Sequence, residues 1–242
     1  RFSTTNFQGQ DYVYLTDTSS FFRYKWDGSQ LTLDTSWGPA VYTKAGQIGG
    51  GTPTVMGDWI IGNTNGITIP MGVAAVSQLD SNKISTIQLA ESMPEGTLST
   101  SAAKPMVDPE NNRAYMCPFN QGFCSAIQVS DDGELSLVWQ VDMRTQSMNT
   151  LIGPPDRRVF VSTNEVSTET NDPTKYNWGP DGANFSEQHQ WRDAATGELL
   201  AASDFYFPKS IASQTPPGYG GIIYALNNDG HLMAMHPQPA EE

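Results

Sequence analysis

The chain has 242 residues, and its 26 acidic side chains against 13 lysines and arginines give a net charge of -13. That excess repels a polyphosphate backbone unless the cations gather on one face, and here Arg157 and Arg158 alone adjoin, which argues against nucleic-acid binding. With 38% hydrophobic and 16% charged residues the composition is that of a folded chain, long enough for one continuous all-β domain over residues 1–242.

No apolar run approaches the ~18 residues that would cross a bilayer, and the start Arg1-Phe2-Ser3-Thr4-Thr5 lacks the apolar core of a signal peptide. Helical periodicity is almost absent. Short β-branched and aromatic runs alternate instead with Gly, Pro, Asn and Asp clusters, which is the pattern of strands and turns.

In chain order, 11–16, 21–26 and 31–34 form a three-strand meander whose turns are 17–20 and 27–29. A second meander comprises 58–62, 72–77 and 84–87, with Asn63 to Gly66 read as a turn and Gly49-Gly50-Gly51 before it as a connection between units. The third comprises 113–117, 124–129 and 135–139, with the turn Asp131-Asp132-Gly133. In the fourth, 158–162 is separated from 188–192 by a polar excursion from Asn164 to Glu187, and 199–202 follows. The fifth comprises 221–226 and 231–235, joined by Asn227 to Gly230. Segments 52–56, 103–107, 149–153 and 210–213 each precede a meander and supply a fourth, innermost strand. Four strands recurring about every 50 residues describe the antiparallel blades of a β-propeller, with a sandwich as the alternative.

Cys117 and Cys124 flank a short reversal, which leads us to expect a disulfide and an oxidising, extracellular or periplasmic location. Two buried free thiols are the alternative, and a pair without a nearby histidine is half a zinc site. The long excursion carries Trp178, Asp181 and Asn184, an aromatic face and oxygen donors suited to a carbohydrate or other ligand, against the plainer reading of a loop covering a sheet edge. Glu187 and His189 lie two apart on one strand face and are read as an outward polar pair. His231 and His236 are too dispersed for a metal cluster, and no Gly-x-Ser-x-Gly elbow is present. Asp131 to Glu134 and Asn227 to Gly230 read as tight turns, since they lack the spacing of a calcium loop. Trp26, Trp59, Trp139 and Trp191 fall inside strands and are expected to pack between units.

Thr52-Pro53-Thr54-Val55-Met56-Gly57-Asp58 with Trp59 to Gly66, Ile222 to Ala234 around Asn227-Asn228-Asp229-Gly230, and Ala195-Thr196-Gly197-Glu198-Leu199 resemble the quinoprotein-alcohol-dehydrogenase-like propellers with pyrroloquinoline-quinone-like repeats. The resemblance implies the architecture. Enzymatic members hold the quinone with calcium, an Asp base and commonly an adjacent Cys-Cys pair, whereas Cys117 and Cys124 are separated and no base or calcium ligand is assigned by position. The reading is therefore a binding or structural scaffold for a protein or carbohydrate ligand, with an oxidoreductase using a quinone or metal, or a carbohydrate-active propeller, as alternatives.

The resembling family usually closes larger rings than the units found here, and Pro237 and Pro239 interrupt a further outer strand. The expectation is an incomplete ring, or one completed by residues or another chain beyond this sequence. Residues 1–7 either open the first unit or complete the last.

Overall fold

A computed structural model describes residues 2–91, 104–118, 122–145, 149–167, 185–206, 216–226 and 230–236. The chain divides into two compact units, Arg1–Gln121 with Ser125–Trp139, and Gly122–Cys124 with Gln140–Glu242.

In the first unit, β1 (Phe2–Phe7), β2 (Gln10–Thr16), β3 (Ser20–Trp26) and β4 (Leu31–Leu33) form sheet 1 in sequence order, and β5 (Ala40–Val41) adds to β3. Sheet 2 is the meander β6 (Gln47–Met56), β7 (Trp59–Gly66), β8 (Gly72–Ser77) and β9 (Ile84–Gln88). Sheet 3 repeats it with β10 (Met106–Asp108), β11 (Arg113–Met116), β12 (Phe123–Val129) and β13 (Leu135–Asp142), the last two running from one unit into the other. In the second unit, β14 (Thr150–Ile152), β15 (Val159–Ser167), β16 (Phe185–Asp193) and β17 (Leu199–Ala202) make sheet 4. The pair β18 (Ile223–Leu226) and β19 (Leu232–Met235) is the described part of sheet 5, and the innermost strand expected at 210–213 lies outside the described residues.

Four turns share one chemistry. Asp17, Asp27, Asp80 and Asp193 each turn a carboxylate oxygen onto the backbone N–H two residues on, at 2.7–2.9 Å, so the side chain substitutes for a backbone acceptor and reverses the chain. At Asp131-Asp132-Gly133 the backbone closes the turn itself, Gly133 N–H donating to Ser130 C=O at 2.8 Å.

Sheets 1 and 2 enclose a core of Tyr14, Phe21, Trp37, Tyr42, Ile60, Ala74 and Val76, with Phe21 and Tyr42 stacked at 4.0 Å. This core explains two departures from the sequence expectation. The glycines at 49 and 50 are not a connection but part of β6, because a Cβ on Gly49 would collide with the Asp17 carbonyl and the Tyr42 hydroxyl, and one on Gly50 with Asn63. Asn63 to Gly66 is not a turn: it continues β7 and pairs with β6 and β8, with Asn63 and Thr64 buried where turn composition predicts exposure. In sheet 4 the strands likewise run on into the polar excursion, with Asn164 to Ser167 paired to Phe185 to Gln188. Trp59 is buried and lies over Gly133, as packing between sheets requires, but Trp26 is 38% exposed on the face of sheet 1 turned away from sheet 2. Residues Phe2–Phe7 pair with β2, the first of the two places open to them.

Candidate functional site

Strand alternation assembles a polar cluster on one face of sheet 4. The register of β15 and β16 sets Glu165 opposite Glu187 and Thr163 opposite His189, and residues two apart share a face. Tyr206 extends the Glu187 row, since the two exchange backbone hydrogen bonds of 2.9 and 3.1 Å. All four strand side chains are fully buried, so Glu187 and His189 point inward and the outward reading is overturned. Its physical reason is a partner invisible to spacing: the Tyr206 hydroxyl stands 3.0 Å from Glu187 Oε2 and 3.0 Å from His189 Nδ1, giving each side chain a hydrogen-bond partner inside. The Thr163 and Thr145 hydroxyls meet at 2.7 Å, and the His189 N–H donates to Ser203 Oγ at 2.9 Å.

A hydroxyl carries one proton, so Tyr206 donates in one of its two contacts and accepts in the other. When it donates to the Glu187 carboxylate, His189 Nδ1–H donates to the Tyr206 oxygen and Nε2 is left as an acceptor. Nε2 is buried and meets no hydrogen-bond partner among the described residues. Burial pushes the imidazole pKa down to about 4 against the upward pull of Glu187, so the ring is neutral near neutral pH. The arrangement orients a neutral imidazole and can accept a hydrogen bond or a proton at Nε2. Among the described residues, no three His, Cys, Asp or Glu side chains converge as a metal site.

Between sheets 1 and 2 lies a second polar cluster, and its main contacts are matched. Arg23 pairs with Asp34 at 2.7 Å and donates to the Gln78 carbonyl at 2.6 Å, Tyr14 donates to Gln78 Oε1 at 2.7 Å, and Trp37 donates to the Ser77 carbonyl at 3.0 Å. The guanidinium also lies 4.4 Å from the Tyr12 ring centre and 5.0 Å from that of Trp37. With these groups paired to one another, the cluster fastens two sheets together.

In the first unit an open groove of about 590 Å³ lies between the whole of β1 and a wall of Thr54, Val55, Gly57, Gln78 and Lys104. On the other face of sheet 1 a hollow of about 450 Å³ is lined by Asp11, Val13, Trp26 and Leu31. Thr4, Thr5 and Asn6 border both, so the edge of β1 separates a polar groove from a mainly apolar hollow. No sequence motif marks this place. Its one signal was Trp26, in a strand whose alternation leaves it on the uncovered face.

Cys117 and Cys124 form the expected disulfide. Trp178, Asp181 and Asn184 lie outside the described residues.

Repeated four-stranded antiparallel meanders, innermost strand first, define this as a protein of β-propeller fold. No family model and no curated protein sequence matches the chain. Among solved structures it is similar to a protein from Lactobacillus plantarum, with a TM-score of 0.54 and 14% identity over 94% of this chain and 67% of that one. It is similar also to a quinohemoprotein alcohol dehydrogenase from Pseudomonas putida, with a TM-score of 0.53 and 13% identity over 98% of this chain and 44% of the dehydrogenase. The chain thus spans less than half the length of that enzyme, and at these identities the likeness is one of fold.

Proposed function

We propose that this chain is a binding scaffold of the quinoprotein-like propeller group, working in an extracellular or periplasmic compartment and taking a protein partner along the innermost strands of sheets 1 and 2. The observation that carries the reading is the groove of about 590 Å³, one wall of which is an unpaired strand edge while the other presents Thr54, Gln78 and Lys104. Preformed concave surfaces with a few polar groups are where ligands bind. The Cys117–Cys124 disulfide supports the compartment, since reducing cytosol disfavours such bridges.

A benzophenone side chain placed at Thr4, with Thr86 on exposed β9 surface as the control position, tests the reading in extracts of the source envelope or medium. A discrete photo-adduct at Thr4 that excess unlabelled protein suppresses, and that is missing at Thr86, is the expected result. Equal labelling at both positions, or none at either, overturns it. A quinone absorption band in protein isolated from its source overturns the scaffold reading in favour of cofactor chemistry.

A further inference from the structure

We infer that the groove receives its partner as an added β-strand: an extended segment of about five or six residues, alternating apolar and acidic side chains, hydrogen-bonds to the free edge of β1 at Phe2, Thr4 and Asn6. The inference rests on the binding-scaffold reading and names the partner's chemistry.

The hairpin turn decides which backbone groups are free. Gln8 and Gly9 have φ of 52° and 81°, the two positive values of a type I′ turn, and Phe7 pairs with Gln10 across it. In such a hairpin the pair flanking the turn exchanges both hydrogen bonds, and bonded pairs then alternate with non-bonded ones. Phe7, Thr5 and Ser3 therefore point their N–H and C=O groups at β2. Phe2, Thr4 and Asn6, opposite Leu15, Val13 and Asp11, point theirs away from it. Since β1 is the end strand of its sheet, these six backbone groups have no ladder partner among the described residues.

Among the described innermost strands, β6, β10 and β14 are protected against strand addition, and β1 is not. β6 is broken by a register shift between Gly50 and Thr54 and carries Pro53, while β10 and β14 are three residues long. β1 runs for six residues without Pro, Gly, charge or bulge. Its exposed positions are Phe2, Thr4 and Asn6, those with the free backbone groups.

The surroundings then specify side chains. A strand added to β1 sends alternate side chains to opposite faces of sheet 1. On one face they enter the groove with Gln78 and the Lys104 ammonium; on the other they meet Val13, Trp26 and Leu31. Lys104 is the one charged side chain among the described residues lining the groove, which favours an acidic residue at that position.

The test uses fluorescein-labelled Val-Glu-Val-Glu-Val-Glu, its lysine counterpart, and two versions of the acidic peptide N-methylated at alternate amides in opposite registers. Binding is read by anisotropy and by NMR amide exchange on the 242-residue chain. The acidic peptide should slow exchange at Phe2, Thr4 and Asn6 and leave Ser3, Thr5 and Phe7 unchanged, and one methylated register should lose binding while the other keeps it. Lys104→Glu should reverse the preference between acidic and basic peptides. Thr4→Pro, which removes a free N–H without touching the ladder, should weaken binding by about tenfold, the worth of one or two main-chain hydrogen bonds, while Thr4→Val should not. Binding without protection at those three amides, or with equal affinity in both methylated registers, overturns strand addition and leaves the scaffold reading standing. So does the absence of peptide binding where Thr4 still captures its photo-adduct. Absence of both overturns the two together.

Discussion

The Tyr206 hydroxyl stands 3.0 Å from His189 Nδ1, and through that contact a histidine with no exposed surface is held in place inside sheet 4. A neutral imidazole so placed makes the second unit sensitive to mild acid. Between about pH 6.5 and pH 4 the unfolded chain takes up a proton that folded His189 refuses, because its folded pKa is depressed to about 4. Stability should be full above pH 6.5 and fall as the pH drops, by about 3 kcal/mol across the window. Urea unfolding followed at Trp191, at pH 7.5, 5.5 and 4.5, checks this; in His189→Gln the decline through that window should flatten. Tyr206→Phe should cost about 1–3 kcal/mol at every pH, since it strips Glu187 and Nδ1 of a buried partner.

The disulfide should contribute to stability through the unfolded chain. Cys117 and Cys124 close a short loop, for which the chain-entropy account gives about 2.5 kcal/mol. Reduction should lower the urea midpoint with little change in its slope, and iodoacetamide should label neither cysteine in native, nonreduced protein. Ready alkylation of both would show free thiols instead.

Much of this fold is legible in local chemistry, because its turns are built on local contacts. Asp17, Asp27 and Asp193 announce reversals that their own carboxylates then make. Where the reading failed, a distant neighbour decided. Asn63 to Gly66 has turn composition but is held as strand by β6 and β8, and the glycines at 49 and 50 serve close approach to Tyr42 and Asn63. The Glu187 and His189 pair was legible as sharing a face, but not which way that face turns, since Tyr206 lies beyond β17. The free edge of β1 required the turn angles of Gln8 and Gly9.

Gly133→Ala should destabilise the first unit by two routes. Its φ is +83°, unfavourable for any residue with a Cβ, and a Cβ there would run into the Trp59 ring. That indole also lies 5.2 Å from Lys83 Nζ, so its displacement disturbs a cation contact as well. A loss of about 2 kcal/mol or more is expected, with a changed Trp59 near-ultraviolet signal. The double variant Gly133→Ala with Trp59→Leu should recover part of the loss if the collision is the larger cause.

Asp34→Ala should be the most damaging single change in the first unit, and the reason is what it leaves behind. Asp34 is 3% exposed and accepts from Arg23 at 2.7 Å, Lys25 at 3.2 Å and Ser36 at 2.6 Å. Burial alone would raise its pKa, but the hydrogen bonds from Ser36, Arg23 and Lys25 outweigh burial and hold the carboxyl below its usual value. Without Asp34, Arg23 keeps its bond to the Gln78 carbonyl and its place beside Tyr12 and Trp37 but loses its counter-charge, and a buried charge stripped of its partner costs about 3–5 kcal/mol. Arg23→Met with Asp34→Leu removes both charges and keeps apolar bulk, so it should cost much less than Asp34→Ala. Urea unfolding of the three proteins decides it: a double variant as unstable as the single one would show that packing, not the stranded charge, governs this junction between sheets 1 and 2.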